Sequence, residues 1–144
     1  MKNFFYILIF SLALSNNVFS AGSSGSDNSD DNSNYTKAYN LIKHAKKYEK
    51  KGKVEKAQKR YKKAQKFLLL SNKEKPFQAN TLNYLGFTTR KIGDFKKGEE
   101  FYLQGLKIDP THKGINEYLG ELYVATNRMD EAKERLGVLK SCNC

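Results

Sequence analysis

Apolar and small side chains recur along this chain at helical intervals of three and four residues. One predicted stripe contains Val54, Ala57, Tyr61, Ala64 and Leu68. The segment before it carries a second stripe, made of Leu41, His44, Ala45 and Tyr48. Polar residues fill the positions between, so both stripes predict amphipathic helices that each bury one side. Gly52 lies between the two stripes and predicts the end of the first helix.

A pair of such helical patterns repeats along the sequence. In residues 79–112 the two patterns are separated by Gly93 and followed by Pro110. Leu119 follows Leu85 at a distance equal to the length of this segment, and other residues of the segment have counterparts at the same distance. A fixed period of this length predicts stacked helix-turn-helix units.

An earlier copy of the unit precedes this segment at a longer spacing. The offset from Gly52 to Gly93 is the same as that from Tyr61 to Tyr102, and it exceeds the repeat period. A seven-residue insertion, residues 72–78, accounts for the excess. The predicted repeats are residues 38–71, 79–112 and 113–144. About three units are needed before such an array is stable, because a single hairpin cannot bury its apolar face.

The units resemble tetratricopeptide repeats. The residues that carry the resemblance are Leu82, Leu85, Gly86, Gly93, Asp94, Gly98, Tyr102, Gly105 and Pro110, with Leu119, Gly120, Tyr123, Ala132 and Leu136 in the last unit. The resemblance implies an all-α, right-handed α-solenoid of three helical hairpins. It also implies a peptide-binding inner surface lined by the first helix of each hairpin. Ile42 and Tyr84 stand where some relatives carry polar groups that grip a C-terminal carboxylate, so that grip is not expected here.

The residues expected on the inner surface form a groove of mixed chemistry. They are Tyr39, Ile42, Lys46, Lys50, Asn83, Phe87, Arg90, Lys91, Glu117, Glu121 and Val124. A basic end, an aromatic centre and an acidic end suit an extended peptide or a helix of a partner protein. The alternative is an ordinary solvated helix face.

The beginning of the sequence predicts export. Lys2 precedes an apolar run, residues 4–14, and residues 18–21 offer small or tolerated side chains for cleavage after Ser20. The run is shorter than the roughly 20 apolar residues of a membrane span, so a cleaved signal peptide at residues 1–20 is expected. The mature protein is then secreted or periplasmic. Residues 21–34 contain no large apolar side chain and predict a disordered linker, and the folded domain is predicted at 35–144.

Positive charge is concentrated in the first unit. Lys and Arg total 26 against 15 Asp and Glu, yet residues 37–75 alone contain 15 basic and 3 acidic residues. The predicted basic patch is Lys47, Lys51, Lys56, Lys59, Lys62 and Lys63. Such a patch attracts acidic partners or an anionic membrane surface, and its alternative is a solubilising face. Nucleic acid is not expected as a partner, because exported proteins rarely meet it and Lys outnumbers Arg 22 to 4.

Candidate chemistry is sparse. Cys142 and Cys144 could form a strained local disulfide, an intermolecular link or a reactive tail. Two thiolates without a neighbouring His make at most half of a zinc site, so no metal or other cofactor is expected. His44 is predicted to be a core residue and His112 an exposed turn residue. No catalytic motif contains either, and the protein is not expected to be an enzyme.

The last predicted helix, residues 130–140, leaves Leu136 and Leu139 without a covering segment. Repeat arrays usually end in a polar helix, so self-association through the C-terminal hairpin is one expectation and a longer arrangement is the other. Together these features predict a protein-interaction module that binds a peptide or a partner helix in the cell envelope. The alternatives are a cationic protein that binds anionic envelope components and a thiol-dependent redox accessory.

Overall fold

The computed structural model describes residues 32–142 as six α-helices, and no β-strand occurs within that range. The helices are α1 (Asn34–Lys50), α2 (Val54–Glu74), α3 (Ala79–Lys91), α4 (Phe95–Ile108), α5 (Lys113–Ala125) and α6 (Met129–Ser141). The all-α prediction is thereby confirmed. The predicted signal peptide, most of the predicted linker and Cys144 lie outside the described residues, so the disulfide prediction is not tested.

Consecutive helices pair as three hairpins that stack in chain order. α1 packs on α2, α3 on α4 and α5 on α6, while α2 also packs on α3 and α4 on α5. The first helices of the hairpins, α1, α3 and α5, contact one another in sequence. Each hairpin therefore relies on its neighbour to bury its apolar face, as in an α-solenoid. No helix of the described range has an apolar stretch long enough to cross a membrane.

Each hairpin turns at a residue with a left-handed backbone conformation. The φ angle is +67° at Gly52, +102° at Gly93 and +60° at Asn127. Gly93 and Asn127 are one repeat period apart, and Gly52 precedes Gly93 by that period plus the insertion, so the three residues occupy one position of the repeat. Glycine adopts this conformation without a steric cost, and Asn tolerates it better than most other residues.

Side-chain caps fix the start of α1 and of α5, each of which is the first helix of its hairpin. The Oγ atom of Ser33 accepts the N–H of Thr36 at 3.0 Å, so α1 begins inside the segment predicted as linker. The Nδ1 atom of His112 accepts the N–H of Ile115 at 3.1 Å, and its Nε2 atom lies 2.9 Å from Asn80 Oδ1. His112 lies in the predicted turn and is half-buried, and it also caps α5, a role that the sequence did not predict.

The core consists of two clusters of buried side chains. The first contains Ala38, Ile42, Ala45, Ala57, Tyr61, Ala64, Leu68, Leu82, Leu85 and Phe87. The second contains Tyr102, Ile115, Leu119, Leu122 and Tyr123. Where α3 packs on α4, the Tyr102 ring lies directly against Gly86, because a Cβ atom built there would be 2.5 Å from Tyr102 Cδ1. Each large apolar side chain that folding buries contributes about 1.5–3 kcal/mol.

The buried face of α1 differs from the predicted one. Ala38, Ile42 and Ala45 are buried, whereas His44 is exposed. The small side chains of Ala38 and Ala45 permit close packing of α1 against its neighbours, and this requirement places the buried stripe away from His44. The prediction of His44 as a core residue is wrong. Val54 at the start of α2 is also 61% exposed, although the remainder of its predicted stripe is buried.

Candidate functional site

Five aromatic side chains lie where α1, α3 and α5 meet, four of them partly exposed and one buried. We call them the aromatic row, and they are Tyr35, Tyr39, Tyr84, Phe87 and Tyr118. The ring of Tyr84 lies 6.0 Å from that of Tyr35 and 5.7 Å from that of Tyr39. The rings of Phe87 and Tyr118 lie 4.8 Å apart. The aromatic row therefore reaches from the first hairpin to the third.

The repeat period explains why these rings meet. Tyr118 follows Tyr84 by one repeat period, so the two rings occupy the same position in adjacent hairpins. Tyr35 and Tyr39 are one helical turn apart on α1, which places them on one face of that helix. Tyr35, Tyr84 and Tyr118 are missing from the predicted inner surface. The recurrence of tyrosine at the repeat period was the signal that could have found two of them.

Partial burial affects two tyrosine hydroxyls of the aromatic row, those of Tyr35 and Tyr84. Burial raises the pKa of Tyr84, and the neighbouring phenols of Tyr35, Tyr39 and Tyr118 raise it further. The pKa of Tyr35 is raised in the same way, by burial first and by Tyr39 second. These hydroxyls therefore stay neutral and available as hydrogen-bond donors throughout the physiological range.

Lys46 lies between the rings at the centre of the aromatic row. Its Nζ atom donates a hydrogen bond of 2.9 Å to the hydroxyl of Tyr118. The same atom lies 4.6 Å from the centre of the Phe87 ring and 5.2 Å from that of Tyr118. Within the described range no carboxylate forms an ion pair with Lys46. Ring faces and one hydroxyl thus hold a half-buried cation without neutralising its charge.

Two ion pairs border this cation. The Arg90 guanidinium contacts Glu121 at 2.6 Å, and the Lys91 ammonium contacts Glu49 at 2.7 Å. Tyr61 donates a hydrogen bond of 2.9 Å to the second oxygen of Glu49. Burial would raise the pKa of Glu49, but the hydrogen bonds from Lys91 and Tyr61 outweigh it and lower the pKa overall. Glu121, one of the two carboxylates at the predicted acidic end of the groove, is therefore already paired with a cation of α3.

The predicted inner-surface residues divide into three groups by exposure. The exposed ones are Tyr39, Lys50, Glu117, Glu121 and Val124. The half-buried ones are Lys46, Arg90 and Lys91. The buried ones are Ile42, Asn83 and Phe87. The structure brings Lys46, Phe87, Arg90, Lys91 and Glu121 together with the aromatic row, whereas it removes Ile42 and Asn83 from the surface.

Stacking of the hairpins explains why Ile42 and Asn83 are buried. Ile42, Asn83 and Glu117 occupy the same position in successive hairpins, with the same offsets that relate the three turn residues. The Asn83 amide lies against α5, since a Cβ atom on Gly114 would be 2.7 Å from Asn83 Nδ2. Ile42 packs in the core cluster that also contains residues of α3. The placement of Ile42 and Asn83 on the open surface is therefore wrong, and Glu117 stays exposed in the last described hairpin.

Phe87 supports the aromatic row from beneath rather than forming its surface. Its side chain is only 2% exposed, and its ring contacts that of Tyr61 edge to face at 5.6 Å. The expectation that Phe87 is an accessible groove residue is wrong, because Lys46 and Tyr118 cover it. Substitution of Phe87 would therefore disturb the core as well as the surface.

The basic patch residues are all exposed. They are Lys47 and Lys51 of the α1 region and Lys56, Lys59, Lys62 and Lys63 of α2. Part of this patch surrounds a shallow cavity of about 560 Å³ on α2, lined by Lys59, Lys62, Lys63, Lys66, Phe67 and Leu70. The patch therefore continues to Lys66 and includes apolar atoms among its cations.

A second cavity of about 300 Å³ lies beside the inserted segment. It is lined by Asn72, Pro76, Phe77, Leu82, Gln104, Lys107 and Ile108. Phe77 is 77% exposed and has a φ angle of +60°. The described residues contain no group of three or more His, Cys, Asp or Glu side chains that could hold a metal ion.

One family model is similar to the middle hairpin. Residues 79–112 match the tetratricopeptide repeat family model. The matched segment contains α3 and α4, and it contributes Tyr84, Phe87, Arg90 and Lys91 to the surface described above. No curated protein matches the chain significantly.

Two solved structures are similar to the chain at low sequence identity. One is the second TPR of Spaghetti (RPAP3) bound to the HSP90 peptide SRMEEVD, with 17% identity, a TM-score of 0.45, and coverage of 73% of this chain and 91% of that chain. The other is the first TPR of Spaghetti (RPAP3) bound to the same peptide, with 18% identity, a TM-score of 0.46, and coverage of 76% of this chain and 84% of that chain.

Proposed function

We propose that the chain is a protein-interaction module of the cell envelope that binds an extended peptide segment along α1, α3 and α5. The observation that carries this proposal is the aromatic row with the Lys46 ammonium at its centre. Tyrosine rings are among the side chains that supply most of the binding energy at protein interfaces, and a partly desolvated ammonium held against rings can pair with an anionic group of a ligand. The envelope location rests on the export signal predicted at residues 1–20.

The chemistry of the surface favours a peptide that carries an acidic side chain. A lysine ammonium has three N–H donors, and Tyr118 accepts one of those of Lys46. A carboxylate of the peptide would accept another in a partly desolvated setting, where charge-assisted hydrogen bonds are strong. Lys43, whose Nζ atom lies 5.6 Å from the centre of the Tyr39 ring, adds a second cation on the same side.

Apolar groups of the same peptide fit the exposed rings. Tyr39 is 40% exposed, and Tyr84 packs beside it with part of its ring uncovered. Both tyrosines are already held by ring contacts, so little side-chain entropy is lost when a peptide binds to them. The expected ligand therefore has an acidic residue followed or preceded by an apolar one.

A display library of short random peptides, selected on the immobilised full chain, tests the proposal. We expect enrichment of sequences with Asp or Glu next to an apolar residue. Lys46→Met removes the charge and keeps most of the side-chain volume, and it should lower the affinity for enriched peptides by at least about tenfold. Tyr39→Ala should lower it in the same direction.

The matched control is Leu103→Ala, because Leu103 is 43% exposed on α4 and lies outside the aromatic row. It should bind the enriched peptides as the unchanged protein does. Failure to enrich any peptide family, or equal affinity for the unchanged protein and Lys46→Met, would reject a peptide site on this surface.

A further inference from the structure

The outward face of α2 carries a set of cations with no acidic residue among them. From residue 56 to residue 73 the helix contains seven basic residues and no acidic one. Within this stretch Lys59, Lys62, Lys63 and Lys66 are spaced by three, one and three residues, which places them on one side of the helix. The buried residues Ala57, Tyr61, Ala64 and Leu68 lie on the opposite side. At about 1.5 Å per residue the stretch is about 25 Å long.

The fold does not use these four charges. All four lysines are exposed, and none of them forms an ion pair with a described residue. Like charges three and four residues apart on a helix repel one another and weaken it. The lysine face therefore has a local cost that no described contact within the chain offsets, and an anionic surface would offset it.

Apolar side chains interrupt the lysine face, which distinguishes it from a purely solvated one. Phe67 and Leu70 line the cavity of about 560 Å³ among the four lysines. Leu69 and Leu70 are 48% and 49% exposed in the last turns of the helix. Proteins that lie on membranes combine these two features, since the lysines contact lipid phosphates while the apolar side chains enter the layer beneath.

We propose that the outward face of α2 docks on a membrane surface that contains anionic lipids. Lys59, Lys62, Lys63 and Lys66 bind the headgroup phosphates, and Leu69 and Leu70 enter the boundary between headgroups and acyl chains. The aromatic row lies on α1, α3 and α5, so this face is separate from the proposed peptide site. A protein docked through α2 keeps that site open to a peptide.

Sedimentation of the full chain with lipid vesicles tests the proposal. Vesicles of phosphatidylcholine alone are compared with vesicles in which phosphatidylglycerol replaces about a third of the lipid. We expect binding to the anionic vesicles to be at least about tenfold tighter, and to weaken when salt is raised from about 0.05 M to about 0.5 M. Equal binding to the two kinds of vesicle would overturn the proposal.

Two charge-matched variants locate the binding face. In the first, Lys59, Lys62, Lys63 and Lys66 are all replaced by Gln. In the second, the exposed residues Lys96, Lys107, Lys113 and Lys140 are replaced by Gln. Both variants lose four positive charges and keep the apolar run at residues 4–14. Net charge and that run therefore affect vesicle binding equally in the two variants. More than about tenfold loss in the first variant alone supports the α2 face, and equal losses in both overturn it.

A third variant separates a membrane from a soluble polyanion. Leu69→Ser with Leu70→Ser removes the apolar groups and keeps every lysine. Weaker binding to anionic vesicles with unchanged binding to inorganic polyphosphate supports insertion of the leucines into the lipid layer. Unchanged binding to both would replace the membrane by a generic polyanion as the occupant of this face. Circular dichroism checks that each variant keeps its helices, and loss of folding would exclude that variant from the comparison.

Discussion

Three glycines of the described chain differ in what each would meet if it carried a side chain. A Cβ atom on Gly86 would lie 2.5 Å from the Tyr102 ring, which is fully buried between α4 and α3. Gly93 has open space around it but a φ angle of +102°. Gly137 in α6 has neither constraint. The three positions therefore separate a steric requirement, a conformational requirement and the plain helix propensity of glycine.

Alanine substitutions at these positions should change the free energy of unfolding in different directions. Gly86→Ala is expected to lower it by about 1–3 kcal/mol through overpacking against Tyr102. Gly93→Ala should lower it by about 1–2 kcal/mol through backbone strain alone. Gly137→Ala should raise it by up to about 1 kcal/mol, because alanine favours a helix interior. Urea denaturation measures all three, and a stabilised Gly86→Ala variant would contradict the close packing of α3 on α4.

Residues that repeat were predictable from the sequence, and residues that depend on a neighbouring hairpin were not. The turns at Gly52 and Gly93 followed from the period and from the chemistry of glycine. The burial of Asn83 did not, because its amide is covered by α5, a helix that belongs to the next hairpin. A polar side chain gives no sign in its own segment that another helix will cover it.

At the scale of single helices, α6 differs from the rest. None of its residues is buried, whereas α3, with the same number of residues, has eight buried residues. Met129 and Leu136 are each 49% exposed. The exposure of Leu136 agrees with its sequence prediction, and self-association through this hairpin stays a prediction. With so few buried contacts, α6 is expected to open before the other helices.

Amide hydrogen exchange followed by mass spectrometry tests this expectation. Peptides from α6 should exchange at least about tenfold faster than peptides from α3, because opening α6 exposes little buried surface. Peptides from α5 are the internal control, since α5 contains five buried residues and should exchange more slowly than α6. Equal protection of α3 and α6 would mean that another contact covers α6 in solution.

At the scale of the whole molecule, buried tyrosines make stability depend on alkaline pH. Burial raises the pKa of Tyr102, and Glu121 raises it further, although the Arg90 guanidinium opposes the shift. The pKa of Tyr61 is raised by burial and by its hydrogen bond to Glu49. In the unfolded chain these phenols ionise near pH 10, whereas in the folded chain they stay protonated. Their stabilising contribution is therefore complete below about pH 10 and is lost as the pH rises above it.

Tyr102→Phe isolates one of these groups. The Tyr102 hydroxyl is buried beside the Arg90 guanidinium without a well-aligned hydrogen bond, so its removal should cost at most about 1 kcal/mol of stability at pH 8. Between about pH 10 and pH 11.5 the decline in stability should become shallower by about 1 kcal/mol per pH unit. The matched control is Tyr39→Phe, which removes the hydroxyl of a ring that is 40% exposed. Urea denaturation across this pH range measures how the free energy of unfolding depends on pH. An unchanged dependence in Tyr102→Phe would contradict its assignment to Tyr102.

The hydrogen bond between Lys46 and Tyr118 joins two residues that are 72 positions apart, one in the first hairpin and one in the third. A stacked array is usually described as a one-dimensional chain in which each unit is coupled only to its neighbours. Here the end hairpins are also coupled to each other, because α1 reaches across α3 to α5 through a single side chain. The cooperativity of unfolding therefore depends in part on this contact, and a ligand that draws Lys46 away from Tyr118 would weaken the coupling between the end hairpins.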